Sequence, residues 1–156
     1  MKTATISEIK NELLEIPSSH ILELCLRLAK FKKENKELLT FLLFEAHDIE
    51  NYILNAKNEM DEQFTLINKS NVYFVKKSLR KILRTINKFI RYSNSEIVEI
   101  ELLIHFLIQG QEFHNSIKTN TVISNIYQNQ LKKIQKSINA LHEDLQYDYL
   151  KKITSL

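Results

Sequence analysis

The residues best suited to metal chemistry fall together at Glu45, His47, Asp48 and Glu50, three carboxylates and an imidazole within a short span. A further histidine brought near in space would complete a carboxylate–histidine site of the kind that helical bundles build for metal-dependent hydrolysis or oxidation. The usual signature of such a site, Glu-x-x-His from each of two helices, is absent. The reverse order occurs at His20/Glu23 and His47/Glu50, and Glu112 lies close to His114. Residues two apart on a helix point to different faces, which counts against that last pair. The competing reading of 45–50 is a set of caps and solvated side chains at a helix junction. His105, inside the apolar stretch 102–108, reads as a satisfied, partly buried histidine rather than a catalytic one.

A second kind of chemistry is electrostatic. Between Gln63 and Ser95 there is no Asp or Glu, and Lys69, Lys76, Lys77, Arg80, Lys81, Arg84, Lys88 and Arg91 give that segment a net charge of +8 within a chain of net +3. At 100° per residue the seven cations of 76–91 fall within an arc of about 140°, a ribbon about 22 Å long. Opposite them runs an apolar stripe that includes Val75, Leu79, Ile82 and Ile86. Two readings stay open. A row of Lys and Arg at this density is the footprint of a polyanion-binding surface, with nucleic acid the foremost ligand and no sequence specificity implied. Alternatively, the preceding segment pairs the ribbon at home: Glu45, Asp48, Glu50, Glu59, Asp61 and Glu62 stand there against Lys57 alone. Exposed pairs of that kind are worth at most about 1 kcal/mol each. Tyr73, Phe74 and Tyr92 flank the ribbon without an interleaved stacking platform.

Other chemistries are excluded by what is scarce. One glycine, Gly110, rules out a Walker loop, a G-x-G-x-x-G turn and a G-x-S-x-G elbow. One cysteine, Cys25, rules out an internal disulfide, a zinc finger and an iron–sulfur cluster. Its apolar surroundings suggest a small core residue in a reducing compartment. No cofactor is implied. The amino terminus places Glu8 where a signal peptide would begin its apolar stretch, and the apolar clusters 38–44 and 102–108 fall far short of the roughly 20 residues needed to span a bilayer. The expectation is a cytoplasmic protein without a membrane span.

These residues must be positioned by helices. Glycine and proline occur once each among 156 residues, and apolar residues recur at three- and four-residue steps, so the chain is expected to be all-α and to form a single domain over 1–156. Thr5 and Glu8 have capping-box spacing before a first helix that Pro17 stops. Ser18 or Ser19 is expected to cap a second, Asn35 a third and Asp48 a fourth, the last alternatively continuing the third. A fifth helix spans roughly 71–92. Ser93 and Glu96 suggest a capping box for a sixth, and Thr119 and Thr121 mark the following break. A final long helix repeats Ile123, Tyr127, Leu131, Ile134, Ile138, Leu141 and Leu145 as a heptad seam. The architecture expected is a compact bundle of about six to seven helices, with a short α-solenoid as the alternative.

The opening stretch, with Ser7-Glu8-Ile9-Lys10-Asn11-Glu12-Leu13, Leu22-Glu23-Leu24 and the run from Ala29-Lys30-Phe31 to Leu38-Leu39, resembles small uncharacterised helical proteins of bacteria filed as a domain of unknown function. The resemblance covers about a quarter of the chain and implies no functional residue. The reading that results is a non-enzymatic interaction or scaffold module that binds a protein partner or associates with itself through the heptad seam as a homodimer. Nucleic-acid binding through Lys76, Lys77, Arg80, Lys81, Arg84, Lys88 and Arg91 is the second hypothesis. A metal site at Glu45, His47, Asp48 and Glu50 is the third.

Overall fold

The computed structural model describes residues 2–116 and 121–154, with backbone alone at 114–116. The His114 side chain and Thr119 lie outside the described residues. Among the described residues the chain is all-α. It forms α1 (Ile6–Glu15), α2 (Ser18–Phe31), α3 (Lys33–Thr40), a π-helical turn (Phe41–Glu45), α4 (Ile49–Thr65), α5 (Val72–Ser93), α6 (Glu96–Ser116), α7 (Thr121–Ile138) and α8 (Glu143–Thr154). Its contacts group into two units, Met1–Phe44 and Glu45–Leu156.

Eight α-helices exceed the six to seven expected, and the divisions have local causes. The π-helical turn interrupts the apolar run after α3, and Asp48 then accepts a hydrogen bond from the Asn51 N–H at 3.0 Å, so α4 starts afresh as a separately capped helix. The single long carboxy-terminal helix expected over the heptad seam is two helices. After Ile138 the Ala140 and Leu141 N–H groups turn back to the Ser137 and Ile138 carbonyls, and the Gln146 side-chain amide donates to the Leu141 carbonyl at 2.7 Å. The first two bonds satisfy carbonyls that a helix end leaves without partners, and the third holds the turn to α8. Ile123, Tyr127, Ile134 and Ile138 are buried on α7, whereas Leu141 and Leu145 fall beyond the break. The α7 part of the seam, at Ile123, Tyr127, Ile134 and Ile138, therefore packs inside its own protomer, while Leu131 and Leu141 are half-buried and Leu145 is exposed.

In the amino-terminal unit, Thr5 and Glu8 make both halves of the capping box. Two expected caps are not used. Ser18 is already the first residue of α2, whose N-cap is Pro17, and the Asn35 side chain donates instead to the Leu28 carbonyl at 2.9 Å, tying α3 to α2. Helices α2 and α3 pack on each other. Among the described residues of this unit, only Phe41 is buried.

The carboxy-terminal unit has its core around α6, against which α4, α5 and α7 all pack. Buried side chains from Val98 through Leu107 cover about 240° of α6 at 100° per residue. Aromatic contacts bind the layers: Phe64 of α4 lies 5.6 Å from Phe106, and Phe106 lies 6.3 Å from Tyr127 of α7. Tyr52 of α4 meets Phe89 of α5 edge-on at 5.8 Å and donates its hydroxyl to the Phe89 carbonyl at 3.0 Å. Helix α5 closes on Asn94 at φ 47°, one of the few residue types that tolerate the left-handed conformation. The expected capping box of Ser93 and Glu96 is replaced by a single bond, since Ser93 donates to the Ile90 carbonyl and Ser95 accepts from the Val98 N–H at 3.5 Å.

Gly110 is required by a close approach. The Tyr127 hydroxyl donates to the Leu107 carbonyl at 3.1 Å, and a Cβ on residue 110 would lie 2.2 Å from that hydroxyl oxygen and 3.1 Å from the ring carbon bearing it. Gly110→Ala is expected to destabilise the protein by about 1–3 kcal/mol, despite a helix-propensity gain of about 1 kcal/mol. In a Tyr127→Phe background the hydroxyl collision is gone. Urea denaturation of the four proteins of this cycle should then show a coupling of at least about 0.5 kcal/mol, and strict additivity would contradict the contact.

Candidate functional site

The proposed metal cluster does not assemble. Asp48 is engaged as the cap of α4, and His47 and Glu50 are exposed on either side of it. Among the described residues, no three of His, Cys, Asp and Glu gather closely enough to hold a metal ion. His105 has the role that its apolar neighbours suggested, with Nε2 2.6 Å from the Asp61 carboxylate on α4 and the ring mostly buried.

The strip of α6 left free of buried apolar residues carries Glu101, His105 and Glu112, and each is held by another element. Glu101 receives Lys57 of α4 at 2.6 Å and Lys152 of α8 at 2.8 Å. Burial opposes its ionisation, but the hydrogen bonds and charges of Lys152 and Lys57 outweigh that and hold the carboxyl below its ordinary value of 4.5. Tyr149 shares the site: burial, then the charge and hydrogen bond of Glu101, push its phenol up to about 12. Glu112 pairs with Lys69 at 2.9 Å, and Lys69 also lies over the Phe113 ring at 5.3 Å. Across the helix, Glu99 accepts from the Ser137 hydroxyl at 2.5 Å.

These ties decide the fate of the basic ribbon. The acidic segment expected to neutralise it is engaged elsewhere or faces solvent: Asp48 caps a helix, Asp61 meets His105, and Glu50 and Glu62 are exposed. Lys69 is paired with Glu112 in an exposed contact outside α5 and drops out of the candidate surface. Among the described residues, Lys76, Lys77, Arg80, Lys81, Arg84 and Arg91 make no ion pair within 4.0 Å. Lys77, Arg80, Lys81, Arg84 and Arg91 are exposed, and Lys76 and Lys88 are half-buried. The opposite face of α5 is the core stripe, with Val75, Leu79, Ile82 and Ile86 all 2% exposed or less.

Four of the cations, Lys76, Lys77, Arg80 and Arg84, line a cleft of about 610 Å³ with Tyr73, Leu83 and Asn87. Tyr73 is 61% exposed and stands edge-on to Phe74 at 5.6 Å. Lys133 of α7 donates to the Asn87 side chain at 3.4 Å, which brings a fifth cation to the cleft's edge. Lys133 was missed in the sequence because it lies on another helix, and only its recurrence beside Lys132 and Lys136 hinted at basic character there. Tyr73 was noted as a flanking residue, and the cleft makes it a wall. The arrangement offers positive charge, an apolar floor at Leu83 and an aromatic ring. It offers no nucleophile, acid–base pair or metal ligand set.

Comparison with known proteins finds no family model, no curated protein and no solved structure that matches the chain. The cleft therefore has to be read from its own chemistry.

The Glu101 ties generate a pH dependence. A folded-state carboxyl held below its unfolded value contributes stability that is present above the unfolded value and is lost as pH falls through the folded one. Glu101→Gln is expected to lower the melting temperature at neutral pH, because Lys57 and Lys152 lose their shared counter-charge. The gap to the wild type should shrink as pH falls below 4.5. A gap independent of pH would show that the carboxylate charge is not what binds the three helices.

Proposed function

We propose that this protein is a non-enzymatic binding module whose α5 face takes the phosphate backbone of a nucleic acid. The observation that carries the reading is a row of four cations, Lys76, Lys77, Arg80 and Arg84, that have no carboxylate partner among the described residues and line a cleft beside an exposed tyrosine. Each phosphate that replaces condensed counterions at such a row releases them to bulk solution, and this supplies the sequence-independent part of nucleic-acid affinity. Tyr73 adds a ring on which a base can stack, worth about 1–3 kcal/mol in single-strand binders.

The helix itself supports the reading. Lys76/Arg80, Lys77/Lys81, Arg80/Arg84 and Arg84/Lys88 are like charges four residues apart, each costing about 0.2–0.5 kcal/mol in an isolated helix. A face that serves only as solvated surface normally mixes both signs. Here the repulsion persists across four turns, and a bound polyanion would relieve it.

Fluorescence anisotropy with mixed-sequence single- and double-stranded nucleic acid tests the proposal. Binding is expected to fall with salt along a log–log slope of about −3 to −4, corresponding to four phosphate contacts. Reversing Lys77, Arg80 and Arg84 to Glu should abolish it. The neutral pair Arg80→Gln and Arg84→Gln should weaken binding while leaving the melting temperature unchanged or higher, which a structural role for these arginines would not allow. Tyr73→Ala should weaken single-stranded binding more than double-stranded. Absence of binding at low salt would overturn the proposal.

A further inference from the structure

The amino-terminal unit has the opposite character. Thirteen of its large apolar side chains are exposed among the described residues, from 37% at Leu13 and Leu38 to 81% at Ile6. A helical segment of this length with one buried side chain lies below the size at which a chain supplies its own core, and such segments are commonly completed by association.

Two features of the unit fit each other. Helix α1 presents Ile6, Ile9 and Leu13 at three- and four-residue spacing, exposed at 81%, 44% and 37%. Between α2 and α3 lies an apolar groove of about 250 Å³ lined by Cys25, Leu28, Ala29, Leu38, Leu39 and Leu42. Their charges are opposite. Over 6–15, Glu8, Glu12 and Glu15 stand against Lys10, a net of −2, while over 18–40, Arg27, Lys30, Lys32, Lys33 and Lys36 stand against Glu23, Glu34 and Glu37, a net of +2, with Lys33 paired to Glu37 at 3.5 Å. Glu12, Glu15, Arg27, Lys30, Lys32 and Lys36 are all exposed.

We propose that α1 of a second copy of this chain docks its Ile6/Ile9/Leu13 stripe into the α2–α3 groove, and that the exchange is reciprocal. An amphipathic helix entering a groove through anchors at i, i+3 and i+7 is a recurrent mode of recognition. The complementary charges make the same unit both donor and acceptor, which is what a closed two-fold interface requires. One helix about 15 Å long covers a few hundred Å², and reciprocity doubles the area toward the about 800 Å² per partner of stable interfaces. The buried seam residues Ile123, Tyr127, Ile134 and Ile138 take no part.

Sedimentation equilibrium of the full chain across the micromolar range tests this, with circular dichroism to check that each variant keeps its helices. The wild type is expected at twice its 18.5 kDa. Ile9→Glu or Leu28→Glu should each give a monomer of unchanged helicity, since both side chains are exposed in the protomer. Glu12→Lys with Glu15→Lys should weaken the dimer roughly tenfold or more, or about 1.4 kcal/mol, and adding Lys30→Glu with Lys36→Glu should restore it. A wild type that stays monomeric at every concentration would overturn the proposal. So would a dimer indifferent to Ile9→Glu and Leu28→Glu, which would locate the interface elsewhere.

Discussion

The carboxy-terminal unit depends on how α6 is compensated. A helix buried over most of its circumference leaves only a narrow strip for charge, and α6 carries Glu101 and His105 part-buried there, Glu99 part-buried among the apolar positions and Glu112 at the exposed end. A carboxylate taken from water costs several kcal/mol unless cations and hydrogen bonds replace the solvent. Each of these residues is met from outside α6: Ser137 of α7 for Glu99, Lys57 of α4 and Lys152 of α8 for Glu101, Asp61 of α4 for His105, and Lys69 ahead of α5 for Glu112. The polar ties thus fix which face of each neighbour turns inward. They also give the packing a register that Leu and Ile contacts alone leave degenerate.

That requirement determines what remains for α5. The cations that answer Glu101 and Glu112 come from α4, α8 and the α4–α5 connection. Helix α5 joins the core through its apolar stripe, with a hydrogen bond from Tyr52 to its Phe89 carbonyl. Among the described residues, Lys76, Lys77, Arg80, Lys81, Arg84 and Arg91 of α5 pair with no carboxylate, and the acids of the preceding segment include Asp48 and Asp61 with roles of their own and Glu50 and Glu62 facing water. The basic face is therefore a residue of the folding solution rather than part of it. A charge arrangement that folding does not use, and that repels itself along the helix, is where a binding function is most economically placed.

Much of this was legible in the residues. The all-α class followed from the near absence of glycine and proline, and the α5 face followed from a period that puts cations and aliphatics on opposite sides. Capping at Thr5 and Asp48 was readable because both signals are local. What escaped was non-local or finely balanced. Ser93 with Glu96 had the spacing of a cap, but the left-handed turn at Asn94 moved the helix start by two residues and gave Ser95 the role. The heptad seam ran on past Ile138 in sequence, while the backbone turned at 139–142 and divided it. Whether the basic ribbon was paired depended on where six acids sat in space, which no pattern along one helix can encode. Gly110 gave no hint of its reason, since the tyrosine that needs the space belongs to another helix.

The two units present surfaces suited to two kinds of recognition that seldom share one face. Nucleic-acid backbones are held by exposed, hydrated cations, and a large apolar patch among them would add desolvation without adding contacts to phosphate. Helix–helix association needs the reverse, apolar area with charge confined to the rim. In this chain the cations of 76–91 lie on a unit whose apolar side chains are largely buried, and the exposed apolar side chains of 1–44 lie on a unit of mixed charge. If the first unit pairs two copies, each assembly carries two α5 clefts, and a strand long enough to reach both meets the second at an effective concentration set by its own length. Modest affinity at one cleft then suffices. Four unpaired cations and one tyrosine are a weak site for a single protomer, and joining two of them converts the weakness into a dependence on strand length that isolated ions cannot imitate.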